Sequence, residues 1–261
     1  METFINIYLF NLAAAAGLMV GGWIYSLIKK NVTIADSLWG LGFVLIAWLT
    51  FFRADGVFAR KLLIAAMVTL WGLRLFIHLS TRNRGKGEDP RYAQWRQQHG
   101  ENFWIISLFK VFLVQALFQW IIALGVQYGQ TAAAPLHLTW LDFLGMGIWL
   151  AGMTFEATAD VQLKTFLQNP ANRGRIMDKG LWRFSRHPNY FGESLIWWGI
   201  FVMVLSTPWG IWTVISPMLI TYTLLRLTGV SLMEETQFAD NPDYRAYIRK
   251  TSAFIPWFPK R

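Results

Sequence analysis

Long apolar blocks, separated by short polar stretches, dominate the pattern of this chain. A helix needs roughly 20 apolar residues to cross a bilayer. Seven blocks approach or exceed that length, at about residues 4–28, 37–52, 58–80, 104–127, 140–163, 190–206 and 209–229. We therefore expect an all-α integral membrane protein with seven transmembrane helices, forming a single membrane domain over residues 1–261.

The composition agrees with a membrane protein and excludes chemistry that needs cysteine. Of the 261 residues, 54% are hydrophobic and only 15% are charged, against about 25% charged residues in a soluble domain. The chain has no cysteine, which excludes disulfides, thiolate metal sites and a cysteine nucleophile. The first apolar block follows only residues 1–3 and has no basic region before it, so we interpret it as a retained helix rather than a signal peptide.

The basic residues predict the orientation of the spans. Most of the 24 lysines and arginines fall in four segments, at 29–30, 82–96, 164–186 and 245–261. Seven spans place all four segments on one side, and positively charged loops are typically cytosolic. We therefore expect the N-terminus outside and the C-terminus in the cytosol. The net charge of +9 then reflects topology, and we expect no nucleic-acid partner.

Acidic residues collect toward the cytosolic ends of the predicted spans. These acids are Asp36, Glu156, Asp160, Glu193 and Glu234. Ionisable groups within a membrane are costly and usually mark a pathway or a site. Glu156, Asp160 and Lys164 follow one another at intervals of four residues and so share a helix face, and Asn189 and Glu193 repeat that spacing. The pattern indicates a polar cavity for an anionic ligand that enters from the cytosol.

Each polar residue also has a structural alternative. Asp36 could cap the second span. Lys164 could extend toward the interface or pair with Asp160. His187 could simply precede a helix that starts at Pro188, because proline suits the first helical turn. Arg74 and His78 could be residues of a helix interface.

The basic loops at 82–96 and 173–186 suit a phosphate-rich ligand. They carry eight arginines between them, and arginine pairs with phosphate through two parallel hydrogen bonds. The sequence has neither a glycine-rich dinucleotide motif after a strand nor a P-loop, and it has no paired-histidine metal motif. A polyphosphate cofactor held by a helical cavity is therefore expected, without a metal.

Two segments carry a resemblance to a known family. "GLWRFSRHPNYFGESLIWWG" and "EETQFADNPDYRAYIRKTSAFIPWFP" resemble the C-terminal catalytic half of the steroid 5α-reductase family. The similarity continues through "FEATADVQLKTF" and "RLFIHLSTRNRGK" and covers roughly residues 70–258. The chain is similar to bacterial reductase-like membrane proteins. That implies a multi-pass protein of the bacterial inner membrane, with its cofactor site facing the cytosol.

The resemblance implies NADPH as the cofactor and assigns residues to it. The cofactor-binding residues expected on this basis are Asn83, Arg84, Glu156, Asp160, Lys164, Arg175, Arg186, His187, Asn189, Glu193, Arg226 and Glu234. The expected catalytic residues are Asp36, which would polarise the substrate carbonyl, with Glu193 and Tyr190. Trp71 stands where the family has a tyrosine near the substrate, so the missing donor is sought at Tyr25 or His78.

The implied reaction is reduction of a carbon–carbon double bond conjugated to a ketone. The expected substrate is a lipid that enters from the bilayer, such as a 3-oxo-Δ4 steroid, and a monomer suffices for it. Two alternatives stay open. Isoprenylcysteine carboxyl methyltransferases and phospholipid methyltransferases share a similar "RHPxY" block, which favours S-adenosylmethionine as cofactor. A sterol-binding membrane protein without catalytic activity is the other alternative.

Overall fold

The computed structural model describes residues 3–227 and 242–260, and this part of the chain is helical. Its α-helices are α1 (Phe4–Lys29), α2 (Ile34–Arg53), α3 (Phe58–Asn83), α4 (Pro90–His99), α5 (Phe103–Ser107), α6 (Val114–Ile122), α7 (Leu124–Thr131), α8 (Trp140–Gln168), α9 (Pro188–Val204), α10 (Ile215–Tyr222) and α11 (Pro242–Lys250). π-helical turns at Leu108–Leu113 and Thr223–Leu227 follow α5 and α10.

Several apolar helices confirm a multi-pass membrane protein. Within the described residues, five helical segments are long and apolar enough to cross a bilayer: Phe4–Lys29, Ile34–Arg53, Phe58–Asn83, Pro90–Ile122 and Gly210–Leu227. The other two predicted spans coincide with α8, which carries several acids, and with α9, which has 17 residues. The count of seven spans and their orientation stay predictions.

The chain packs as two compact units. Unit one comprises Met1–Thr139 with Ser206–Thr213, and unit two comprises Trp140–Leu205 with Val214–Arg261. Each unit contains residues that the sequence assigned to a site, so the two are described separately below. That the whole chain acts as a single domain stays a prediction.

In unit one, α2 and α3 approach closely where two glycines face each other. A Cβ atom at Gly40 would collide with the carbonyl oxygen of Gly72, and a Cβ at Gly72 would meet that of Gly40 at 2.6 Å. Small residues allow membrane helices to pack main chain against main chain. Beside this crossing, Trp71 is fully buried, and its ring lies 5.4 Å from that of Phe43.

Buried amides tie three helices of unit one together. The Nδ2 of Asn11 in α1 donates to the Oγ1 of Thr50 in α2 and to the Oε1 of Gln127 in α7, both at 2.8 Å. All three side chains have no exposed surface. Lipid offers no hydrogen bonds, so these polar groups are tolerated in the bundle because they bind one another.

In unit two, α8 and α9 run side by side with glycines at their contact. A Cβ at Gly199 would meet the carbonyl oxygen of Gly145 at 2.6 Å, and a Cβ at Gly152 would meet that of Gly192 at 2.6 Å. Gly145 and Gly152 are seven residues apart on α8, and their partners Gly199 and Gly192 are seven residues apart on α9 in the reverse order. The reversed order shows that the two helices are antiparallel, and the close contacts fix the positions of the residues beside the glycines.

Candidate functional site

Asp36 lies in the first turn of α2, in unit one. The N-cap of this helix is Thr33, and Asp36 is the third helical residue. The Asp36 carboxylate accepts a hydrogen bond from the Tyr92 hydroxyl at 2.7 Å and one from the Arg91 Nη2 at 3.4 Å. The alternative that Asp36 caps α2 is therefore wrong, because its oxygens bind side chains from α4 instead of the main-chain N–H groups of its own helix.

The sequence "EDPRY" explains why α4 starts where it does. Asp89 is the N-cap, and its Oδ1 accepts from the main-chain N–H of Arg91 at 3.0 Å, while Pro90 occupies the first turn. The Nε of Arg91 also donates to that oxygen at 2.9 Å. This cap fixes the first turn of α4, and Tyr92, only 6% exposed, is thereby held against Asp36.

A second ion pair fastens the start of α4 to the start of α2. Arg96 donates to both carboxylate oxygens of Glu88, each at 2.8 Å. Glu88 Oε1 also accepts from the main-chain N–H of Val32 at 2.8 Å, and the N–H of Asp89 donates to Thr33 Oγ1 at 2.8 Å. Burial by itself would raise the pKa of Glu88, but the Arg96 and Val32 contacts outweigh it and hold this pKa below its ordinary value.

The ion pair between Glu88 and Arg96 predicts that the stability of the fold depends on pH. Since the Glu88 pKa is lowered in the folded protein, the carboxylate stabilises the fold above its unfolded pKa. This contribution is lost as the pH falls through the folded pKa. Glu88→Gln is expected to lower the melting temperature at neutral pH and to flatten its fall in acid. Melting curves from about pH 6 to pH 3 test this, with the exposed Glu101→Gln as control. Parallel curves for Glu88→Gln and the wild type would contradict it.

The structure shows that Tyr92, which the sequence analysis did not suggest, is a hydrogen-bond donor to Asp36. Tyr25 is 49% exposed and lies beside Lys29, and His78 is half-buried on α3. Trp71 is a core residue. Tyr92 was missed because it lies between two predicted spans, in a polar segment, where hydrophobic periodicity says nothing about contacts.

In unit two, six of the predicted residues lie on α8 and α9: Glu156, Asp160, Lys164, Asn189, Tyr190 and Glu193. Glu156, Asp160 and Glu193 are buried. The Nδ2 of Asn189 donates to the Oδ1 of Asp160 at 3.2 Å, and the Oδ1 of Asn189 is buried with no hydrogen-bond partner within the described residues. Lys164 is exposed and makes no ion pair there, so the predicted pairing with Asp160 is not formed within this part of the chain.

The segment before α9 is hydrogen-bonded to residues near the C-terminal end of the described chain. The Nη1 of Arg186 donates to the carbonyl oxygens of Ile248 at 3.1 Å and Thr251 at 2.6 Å. The rings of His187 and Tyr190 stack with their centres 5.5 Å apart. Pro188 begins α9. The arginine thus has a structural task in positioning "RHPNY", and its contact with a cofactor stays a prediction.

The remaining predicted residues are distributed over both units. Arg84 is exposed in unit one, next to Asn83, whose buried Nδ2 has no partner within the described residues. Arg175 and Arg226 are exposed in unit two. Glu234 lies outside the described residues. The roles of all these residues toward a cofactor stay predictions.

The cluster in unit two fits the expected nucleotide cofactor in its chemistry. Buried carboxylates and the unpartnered Asn189 Oδ1 are acceptors, and the ribose hydroxyls and the carboxamide of NADPH are donors. Arg175 and Arg226 are exposed cations in the same unit, and guanidinium groups suit phosphates. The residues therefore complement both the neutral and the anionic parts of such a molecule.

Comparison with known proteins places the chain in a family. The family model described as "Protein of unknown function (DUF1295)" matches residues 22–251. A similar protein, the uncharacterized protein C594.04c of Schizosaccharomyces pombe (strain 972 / ATCC 24843), is 28% identical over 269 residues, which cover 90% of this chain and 75% of that protein. No solved structure matches. Because the family model covers most of its length, this chain belongs to the DUF1295 family of proteins of unknown function.

Proposed function

We propose that this protein is a membrane reductase that uses NADPH to reduce a carbon–carbon double bond conjugated to a ketone in a lipid, such as a 3-oxo-Δ4 steroid. The observation that carries the proposal is the partly buried hydrogen bond, 2.7 Å long, from the Tyr92 hydroxyl to the Asp36 carboxylate. A phenol held on an acid is a donor suited to a carbonyl oxygen. It also replaces the tyrosine that the resemblance expects where this chain has Trp71.

The Asp36–Tyr92 pair supplies the acid half of this reaction. NADPH, when bound, supplies a hydride to the β-carbon of the substrate, and negative charge then builds on the carbonyl oxygen. The Tyr92 hydroxyl redirects its hydrogen bond from Asp36 to that oxygen and stabilises the enolate, which then takes up a proton from water at the α-carbon to complete the reduction. The Asp36 carboxylate keeps a hydrogen-bond partner in this step, since Arg91 still donates to its other oxygen. Removing such a donor typically costs about 100-fold or more in rate.

The residues of unit two take the cofactor in this proposal. Asp160, Asn189 and Glu193 accept hydrogen bonds from its hydroxyl and amide groups, while Arg175 and Arg226 bind its phosphates. The support is chemical: ionisable groups within a membrane protein are costly and usually mark a pathway or a site, and the buried Oδ1 of Asn189 has no hydrogen-bond partner within the described residues. The closely packed glycines of α8 and α9 keep Asp160, Asn189 and Glu193 at fixed positions along the two helices.

NADPH is expected to raise the melting temperature of the purified protein, and NADH and S-adenosylmethionine are expected to raise it less. A ligand that binds the folded state stabilises it by RT ln(1 + [L]/Kd), about 2.7 kcal/mol at 100 times Kd. Glu193→Ala should reduce the NADPH shift and abolish turnover while the unliganded protein melts normally. Thr158→Ala, exposed on the other side of α8 from the acids, is the matched control.

Other outcomes of the same measurement favour the alternatives. A shift with S-adenosylmethionine and none with NADPH would identify a methyltransferase. A shift with sterols alone, and with neither cofactor, would identify a sterol-binding protein. Equal shifts for NADH and NADPH would contradict the assignment of the arginines to a phosphate that only NADPH carries.

A further inference from the structure

The end of the chain is fixed to unit two by main-chain hydrogen bonds. The Trp257 N–H donates to the Phe184 carbonyl oxygen at 2.9 Å, and the Arg186 N–H donates to that of Ser252 at 2.8 Å. The Ser185 hydroxyl donates to the carbonyl oxygen of Phe254 at 2.8 Å. These bonds hold the segment 252–257 against the loop before α9, so its side chains project from a defined surface.

That surface is apolar and exposed. The exposed fractions are 62% for Ile255, 70% for Trp257 and 77% for Phe258. Among the described residues, the aromatic neighbour of this surface is Phe184, whose ring meets the edge of Phe258 with the ring centres 6.0 Å apart. Large side chains that the described part of the chain leaves exposed at positions fixed by main-chain hydrogen bonds suit an apolar partner.

Basic residues lie directly beside these aromatic rings. The Lys260 N–H donates to the Lys250 carbonyl oxygen at 2.9 Å, which brings the end of the chain back to the last residue of α11. Lys250 and Lys260 are both exposed, as is Arg249. The surface therefore combines two aromatic rings with neighbouring cations that the main chain holds together.

We propose that Ile255, Trp257 and Phe258 insert into the interfacial zone of the bilayer, where Lys250 and Lys260 bind the phosphates of anionic phospholipids. Tryptophan prefers this zone because its ring is apolar and its N–H is polar. Basic residues near an anionic surface each contribute attraction to it. The chain already spans the membrane several times, so the bilayer is the apolar partner in reach, and the cations give it a charge preference.

The depth of the tail tests the first half of this proposal. The chain lacks cysteine, so Phe258→Cys accepts a single spin label without other substitutions. In nanodiscs, we expect a label at 258 to collide more with oxygen, which dissolves in lipid, than with a water-soluble nickel chelate. A label at Asp178→Cys, an exposed residue of the same unit, should show the reverse. Water-like collision at 258 would overturn the proposal, and so would shielding from both reagents, which indicates a protein partner.

The lipid preference tests the second half. The wild type is expected to melt at a higher temperature in nanodiscs that contain phosphatidylglycerol than in phosphatidylcholine alone. The double variant Lys250→Glu with Lys260→Glu should lose this difference, while Lys86→Glu, an exposed lysine of unit one, should keep most of it. A difference that survives in the double variant would overturn the assignment of these lysines. Neither result depends on the proposed reductase activity.

Discussion

Replacing Tyr92 by phenylalanine is expected to lower turnover by about 100-fold or more while the protein stays folded. The variant removes one hydroxyl and leaves the ring, which lies in a buried position. If the proposed reaction is right, the developing charge on the substrate oxygen then loses its donor. NADPH oxidation with progesterone or testosterone in detergent measures the effect, and a melting curve checks the fold.

Two companion variants make the result specific. Tyr25→Phe changes an exposed tyrosine of the same unit and should retain wild-type turnover. Asp36→Asn should also lose activity, because a neutral amide oxygen is a weaker acceptor for the Tyr92 hydroxyl than a carboxylate and its NH2 group competes for the same position. Wild-type turnover in Tyr92→Phe would remove this residue from the mechanism. A fall in melting temperature that matches the fall in activity would reduce the Asp36–Tyr92 pair to a link between α2 and α4.

Gly192→Ala is expected to cause a large loss of stability in unit two. Its Cβ would lie 2.5 Å from the Glu156 nitrogen and 2.7 Å from the Gly152 carbonyl oxygen. These are main-chain atoms of α8, so no side chain can move aside and the helices must separate. Overpacking of this kind costs about 1–3 kcal/mol or more. Because the crowded nitrogen belongs to Glu156, NADPH binding should weaken with it.

Gly147→Ala is the matched control, since it lies on α8 with nothing within 4 Å of its added Cβ. Alanine favours a helix over glycine, so this variant should melt at or slightly above the wild-type temperature. Thermal unfolding in detergent compares the two. Equal melting of Gly192→Ala and the wild type would mean that α8 and α9 pack less closely than these distances require.

The hydrophobic pattern predicted the helices well, because an apolar run of membrane length has few other ways to satisfy its main chain. Within the described residues, which end at 227 in the seventh block, each of the seven predicted blocks is mainly helical. The fourth block is less regular than its composition suggests. It contains the π-helical turn Leu108–Leu113 and a break at Ala123, before α7. Apolar content alone does not encode such changes in hydrogen-bond pattern.

The candidate sites were predictable where spacing on one helix determined them. Asp160 shares a helix face with Glu156, and Asn189 shares one with Glu193, and the close packing of α8 and α9 at their glycines brings Asp160 and Asn189 into contact. Tyr92 and Asp36 are 56 residues apart, and their contact depends on the Asp89 cap and on the Arg96–Glu88 pair. Contacts of this kind follow from how a loop folds back, for which a single sequence carries no periodic signal.

The amide of Asn11 has a consequence for the way the chain is made. Its two partners lie 39 and 116 residues later in the sequence. During synthesis, the Nδ2 group of Asn11 therefore has neither partner when α1 forms, gains Thr50 once α2 follows, and gains Gln127 only once α7 has been made. A chain that stops before α7 leaves one of the two hydrogen bonds of this Nδ2 group unmade. The hydrogen bonding of Asn11 in α1 therefore depends on whether α2 and α7 are present. A truncated chain differs from the whole chain in these bonds, at a position far from the truncation.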